Sequence, residues 1–479
     1  MDTQPPTKTM TSAAQSIFAM LQYTDKKDLS LAEVMGYTTH AFRINIHPES
    51  VSPAGPTMFA PYELVSQSLR TLGVYTKTRS EPTPQSDKDL ADTIRLMQGR
   101  IDTGVPIISW DLFAPEFGLI YGYDHEKQVF HAKDIEKDGT IKYSDLNNRR
   151  FNHLFVCGFS ETTQKSKPIM LRDALKRIIQ HAYGKSPYAS PEYKHGLSGF
   201  AAWIQAFQTR KMDVFGNAYN TAVVGDAREH AHHFFSILHS KWEISSDVDR
   251  QVRDCLKEGD HIYKKVAACF QSLQEMFPFP QGGEPNDAVN SQQAITLLNE
   301  AYKWEKEGVT LLEKLFNMLE QYDDETFMTP FLVKKTFQFA GERHTCQYEN
   351  LITDVPLKMK ELTRKDEAIV SRTVNMRLTA YEAKESDDQD IVSYIVARPV
   401  SFEPYDLPAS INYYDVTHEY AYIRGKIVEI EQAYATLEHW IRDQGYEQDK
   451  SALTIELFRP VPHFDADEEI EIYIPLKRQ

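Results

Sequence analysis

Residues 426–443 read KIVEIEQAYATLEHWIRD, and the fold turns on how that stretch is read. Ile427, Ile430, Tyr434, Leu437 and Ile441 recur at steps of three and four, the apolar stripe of an amphipathic helix. Gly425 precedes the stripe and Gly445 follows it, as suits a helix with a glycine stop. Downstream the period drops to two. Leu453, Ile455 and Leu457 alternate with Thr454, Glu456 and Phe458; Ile470, Ile472 and Ile474 alternate with Glu469, Glu471 and Tyr473. Pro460, Pro462 and Pro475 punctuate these two strands. A helix stripe and two aliphatic strand faces predict a helix-on-sheet core. The opposite sheet face is then expected to carry Glu456, Phe458, Glu471 and Tyr473. Carboxylates beside rings suit a cleft for a flat or cationic organic molecule. The same alternation also describes a solvated strand face with incidental aromatics.

The stretch Glu419–Gly425, the Tyr434–Trp440 helix, Glu456-Leu457-Phe458 and Ile472–Pro475 together resemble the gyrase-inhibitor-like (GyrI-like) family. That family includes the effector-binding domains of AraC-type and multidrug-sensing regulators. The resemblance implies a repeated strand-helix-strand-strand unit with a ligand cleft between its halves. It places Glu456 in that cleft, facing cationic, lipophilic ligands. Many relatives have Tyr where Phe458 stands. A first half-unit is therefore expected upstream. Val333, Lys335, Phe337 and Phe339 alternate into Gly341, and Ile352, Val355, Met359 and Leu362 step as a helix despite Pro356. Residues 391–400 are apolar and β-branched, with Tyr394 among them, and read as a strand.

The chain has 479 residues, enough for two to four domains, with 41% hydrophobic and 25% charged residues as in ordinary globular proteins. A net charge of −16 argues against nonspecific nucleic-acid binding, and no basic helix-turn-helix segment is evident. Cys157, Cys255, Cys269 and Cys346 are widely spaced, so neither a disulfide framework nor a cysteine-rich metal site is expected. Residues 1–10 lack the apolar core of a signal peptide, and no stretch approaches a membrane span. The expectation is a cytoplasmic protein with no cofactor, no membrane partner and no direct nucleic-acid partner.

In the first 160 residues, Ser16–Gln22 continues a helix and Gly36–Arg43 reads as a turn into a strand. Residues 62–72 read as a helix stopped at Gly73. Short strands are expected at 105–110, 117–123 and 128–132, with a hairpin turn at 124–127. Gly36–Asn45, Pro53–Phe59 and Pro106–Asp134 resemble the butirosin-biosynthesis-H-like (BtrH-like) amino-terminal domain, itself akin to papain-like, double-glycine-leader peptidases. Such a peptidase needs a thiolate at a helix start, a His for its proton and a group orienting the His. The resemblance places the thiol among Thr11, Ser12, Ala13 and Ala14, where there is no Cys. It places the His at Glu116 or Phe117, and the orienting acid at Asp134. The catalytic pair is thus missing. A degenerate enzyme fold follows, with Ser12 or Thr11 as the remaining hydroxyl nucleophiles.

Residues 168–323 are helix-rich. Leu298, Ala301, Glu305, Val309, Leu312, Phe316 and Leu319 fall near one helical face, with Ser291 as its expected cap. Residues 277–283 read as a hard break between helices. Asp226, His230 and His233 stand at i, i+4 and i+7, on one face of a helix, with His232 and His239 nearby. That spacing suits a divalent metal as well as a polar helix face. Buried amides capping helix ends are the expected role of Asn217 and Asn220.

The sequence thus predicts an α+β multidomain chain: a degenerate papain-like domain at 1–162, a helical domain at 163–325 and a duplicated GyrI-like domain at 326–479. Small-molecule binding is expected in the last, at Glu456, Phe458, Tyr473, Tyr394 and Trp440. The alternatives are acyl transfer in the first domain, with Ser12, Glu116 and Asp134 as candidate catalytic groups, or hydrolysis of a small natural product or toxin, for which the GyrI-like resemblance implies Glu456 as the general base activating water.

Overall fold

A computed structural model describes residues 7–59, 62–186, 190–320, 322, 327–365, 369, 376–383, 390–400, 403–404, 407–459 and 469–477. The chain forms two compact units: residues 1–84 with 100–323, and residues 85–99 with 324–479. Its class is mixed α+β. Among the described residues no helix is long and apolar enough to cross a membrane.

In chain order the elements begin with α1 (Ser12–Leu21), α2 (Leu31–Tyr37), β1 (Asn45–Ile46), α3 (Gln67–Thr71), β2 (Val74–Pro82) and α4 (Asp87–Ile101). Then come β3 (Ile107–Trp110), β4 (Phe117–Asp124), β5 (Val129–Lys133), β6 (Asp138–Lys142), β7 (His153–Thr162) and α5 (Lys167–Ala182). The first unit closes with β8 (Lys194–His195), α6 (Leu197–Thr209), α7 (Val214–Lys241), α8 (Asp247–Met276) and α9 (Ala288–Leu319). Its six-stranded antiparallel sheet has the order β2-β7-β3-β4-β5-β6. A single core runs from Ala13 in α1 to Leu319 in α9.

Two local expectations change here. Gly36 does not open a turn into a long strand. Ser30 and Glu33 form a capping box that starts α2, and Gly36 lies inside that helix. A Cβ on Gly36 would sit 2.3 Å from the Phe234 ring, so close packing against α7 is what requires glycine. The strand that follows is only Asn45–Ile46. Ser291 is not a cap. Asp287 caps α9 by accepting from Val289 N and Asn290 N at 2.9 and 3.0 Å, while Ser291 Oγ donates to the Pro285 carbonyl. Glu305, on the apolar face of α9, accepts two 2.8 Å bonds from the fully buried Arg228.

The second unit contains β9 (Phe331–Gln347), α10 (Leu351–Lys365), β10 (Arg377–Tyr381), β11 (Ile391–Pro399), β12 (Asn412–Lys426), α11 (Ile430–Asp443), β13 (Thr454–Arg459) and β14 (Glu469–Pro475). Strand-helix-strand-strand therefore occurs twice. The six strands close into an antiparallel barrel in the order β10-β11-β9-β12-β14-β13. Phe337, Phe339, Ile455, Leu457 and Tyr473 pack in one cluster on the inner face. The helices cover the outer face: α10 lies over β9 and β11, and α11 over β12 and β14. On α10 the packed residues are Leu351, Val355, Met359 and Leu362, whereas Ile352 is 82% exposed. On α11 the expected stripe holds, and Gly445 at φ +74° ends the helix. The Tyr446 N–H then bonds the Ile441 carbonyl at 3.0 Å.

Candidate functional site

The barrel order decides what surrounds Glu456. With one helix over β9 and β11 and the other over β12 and β14, the outer face of β10 and β13 lies between them. Glu456 is on that strip, 5% exposed. Its Oε2 accepts from Tyr381 Oη of β10 and its Oε1 from Tyr434 Oη of α11, each at 2.8 Å. Among the described residues its oxygens meet these phenols and no cation. Burial raises the Glu456 pKa above the ordinary carboxyl range, and the two phenolic bonds oppose that rise. Burial also lifts both phenols well above their usual range, and the adjacent Glu456 charge adds to the lift.

The register corrects the expected face of β13. Glu456 pairs with Ile472 and Leu457 with Glu471, so Glu456 shares its side with the isoleucines under α11. Ile455 and Leu457 point into the barrel with Tyr473. Paired residues in an antiparallel ladder lie on one side, and the two strands enter the ladder out of phase with the expected arrangement. Tyr473 is accordingly inside the barrel, where its hydroxyl accepts from Lys335 Nζ at 3.0 Å and donates to Glu471 at 2.6 Å. The structure does not bring it to Glu456. Phe458 is on the Glu456 side, part-exposed, with the Arg377 guanidinium 5.6 Å above its ring. Tyr394 is buried, 6.5 Å from the Tyr381 ring, and donates to Asp354 of α10 at 2.6 Å. Trp440 packs at the far end of α11, stacked on Tyr446. Sequence reasoning missed Tyr381 and used Tyr434 only as an apolar stripe residue.

In the first unit Ser12 opens α1 and meets Glu116. The Ser12 hydroxyl donates to Glu116 Oε2 and accepts from Phe117 N at 3.1 Å. Tyr219 Oη donates to Glu116 Oε1 at 2.5 Å. Burial, reinforced by the Glu116 charge, pushes the Tyr219 pKa far up. These groups line a pocket together with Thr11, His40, Arg43 and Asn45; its space, open solvent at the mouth included, is about 540 Å³. Asp134 does not join them. It accepts from the Phe113 and Ala114 amides at 2.8 Å and from Glu136 N at 2.8 Å, holding a loop.

The amides of α7 are cross-links rather than caps. Asn217 Oδ1 accepts from Trp203 Nε1, and Asn220 Nδ2 donates to the Ser52 carbonyl, both at 2.9 Å. Of the expected metal trio, Asp226 and His230 stand 3.8 Å apart, while His233 turns to Glu229. Asp226 accepts from Thr9 Oγ1 and Met10 N, His230 Nε2 lies 3.2 Å from the Lys8 carbonyl, and His233 lies 3.3 Å from Glu229. Among the described residues the group with metal-ligand spacing is instead Glu229, His232 and His233. His232 Nδ1 is hydrogen-bonded to Asp260.

No family model matches the chain, and no curated protein matches it. Among solved structures, SAV2435 bound to tetraphenylphosphonium is 15% identical, with 31% of this chain and 94% of that chain covered at TM-score 0.25. A bacterial transcription-regulation protein from Staphylococcus aureus MU50 is 14% identical, covering 32% and 99% at TM-score 0.25. The EcmrR C-terminal domain is 14% identical, covering 32% and 98% at TM-score 0.25.

Proposed function

We propose that the second unit is a receptor for a lipophilic organic cation, with Glu456 pairing the charge. Tyr381, Tyr434 and Phe458 meet the ligand's apolar body. The observation that supports this is the buried carboxyl whose oxygens meet only phenol hydroxyls among the described residues. A carboxyl removed from water without a cation is costly, and a cationic ligand offsets that cost. Rings around the acid add cation–π attraction. Calorimetric titration with tetraphenylphosphonium and with neutral triphenylphosphine oxide tests it. Glu456→Gln should weaken the cation about tenfold or more and leave the neutral compound unchanged. Equal cation affinity in the two proteins would sink the reading.

A second reading, hydrolysis or acyl transfer in the first unit, is favoured by the Ser12–Glu116 hydrogen bond inside the cavity. Here Glu116 would take the hydroxyl proton as Ser12 attacks an acyl carbon. Loss of acyl-thioester turnover in Ser12→Ala, with cation binding intact, separates it from the first.

A further inference from the structure

The cavity in the first unit also holds two polar groups that its Ser12 wall does not use. Arg43 lines it, and Arg43 Nε and Nη2 are buried without a hydrogen-bond partner among the described residues. The guanidinium stands over the Phe59 ring at 5.6 Å. Glu116, on the same cavity wall, spends its oxygens on Ser12 and Tyr219. An uncompensated buried guanidinium is costly, and its natural complement is an anionic acceptor.

The second group is His40, 3% exposed, whose Nε2 is also buried without a partner. Its tautomer follows from its neighbours. Thr38 Oγ1 donates its one proton to the Val34 carbonyl at 2.6 Å, so His40 Nδ1, 2.8 Å from that oxygen, must be the donor to it. Nε2 therefore presents a lone pair. Burial and the Arg43 charge keep the ring neutral, with its pKa lowered to about 3. Among the described residues Arg43 thus lacks an acceptor and His40 a donor, and both residues line the cavity. Phe59 and Phe117, stacked 6.0 Å apart, and Val224 supply apolar wall.

We propose that this cavity binds a small organic hydroxy-carboxylate: the carboxylate on Arg43, the hydroxyl donating to His40 Nε2, and the alkyl remainder against Phe59, Phe117 and Val224. This site is separate from the cation site at Glu456.

Calorimetric titration of the full chain with 2-hydroxyhexanoate, hexanoate and hexane-1,2-diol tests it. The hydroxy acid should bind about tenfold more tightly than hexanoate, since only it supplies the donor for His40. The diol should not bind measurably. Arg43→Met should weaken the hydroxy acid at least about thirtyfold without lowering the Tm of the empty protein, because the charge it removes is uncompensated. Glu456→Gln should bind the hydroxy acid as the unaltered chain does, so failure of the cation reading and failure of this one are distinguishable. Equal binding of diol and acid, equal binding of hexanoate and its hydroxy derivative, absence of binding by both acids, or full affinity in Arg43→Met overturns the proposal. If Arg43→Met does not fold, the ligand series on the unaltered chain decides alone.

Discussion

Glu456 carries a pH signature that follows from its setting. Below the ordinary glutamate value of 4.5 the side chain is largely protonated whether the chain is folded or not, and the buried neutral acid costs little. Above that value the unfolded chain loses its proton first, so stability is lost as pH rises through the raised folded value. Urea titrations from pH 4 upward should show that loss in the unaltered protein and its removal in Glu456→Gln. Identical pH profiles would contradict the assignment. What was legible here was the acid itself, because a lone Glu in a run of aliphatic residues stands out. Its partners were not. Tyr381 sits in a short strand with little periodicity, and Tyr434 looked like any apolar stripe residue. A phenol's role depends on what lies above its hydroxyl, which spacing does not encode.

Elements were read well where local signals agree, and less well where a side chain had two roles. Gly445 is the clean case: φ is +74° and open space surrounds the site of a Cβ, so only backbone conformation is at stake. Gly445→Ala should cost the second unit about 1 kcal/mol, read by urea denaturation, with no repacking. Asp287→Ala should cost about 1 kcal/mol through loss of the α9 cap. Adding Ser291→Asp to that variant should not restore it, since Ser291 lies inside the helix. The α10 stripe shows how pattern alone misses by one position. Leu351 and Ile352 are equally apolar, and only the packing against β9 and β11 decides which is buried. The β13 face failed for a related reason. An alternating run says which residues share a side, but the neighbouring strand's register decides which side is inside.

At the scale of the molecule the duplication was legible and the long-range pairing was not. The repeated strand-helix-strand-strand order needs only local pattern. That it closes into a barrel depends on strands paired 71 to 91 residues apart, and that α7 and α9 share a core with α1 depends on contacts still farther apart in the chain. Arg228 ties such segments together: it pairs with Glu305, 77 residues on, and donates to the Ala41 carbonyl, 187 residues back, at 2.9 Å. Glu305→Ala leaves that guanidinium buried without its carboxylate and should cost about 3–5 kcal/mol. Hydrogen exchange should show lost protection across the first unit. A change under about 1 kcal/mol would mean that water reaches the pair.

The barrel has two seams where one half-unit meets the other, and they are unequal. The ladder of β9 with β12 is eleven residue pairs long, that of β10 with β13 only five. Tyr381 and Glu456 flank the shorter seam, one from each half. Whatever molecule engages both acts as a rivet across the weaker join, so occupancy should slow the unzipping of the barrel there first. The amides of β10 and β13 would be the gauge, exchanging more slowly as the site fills.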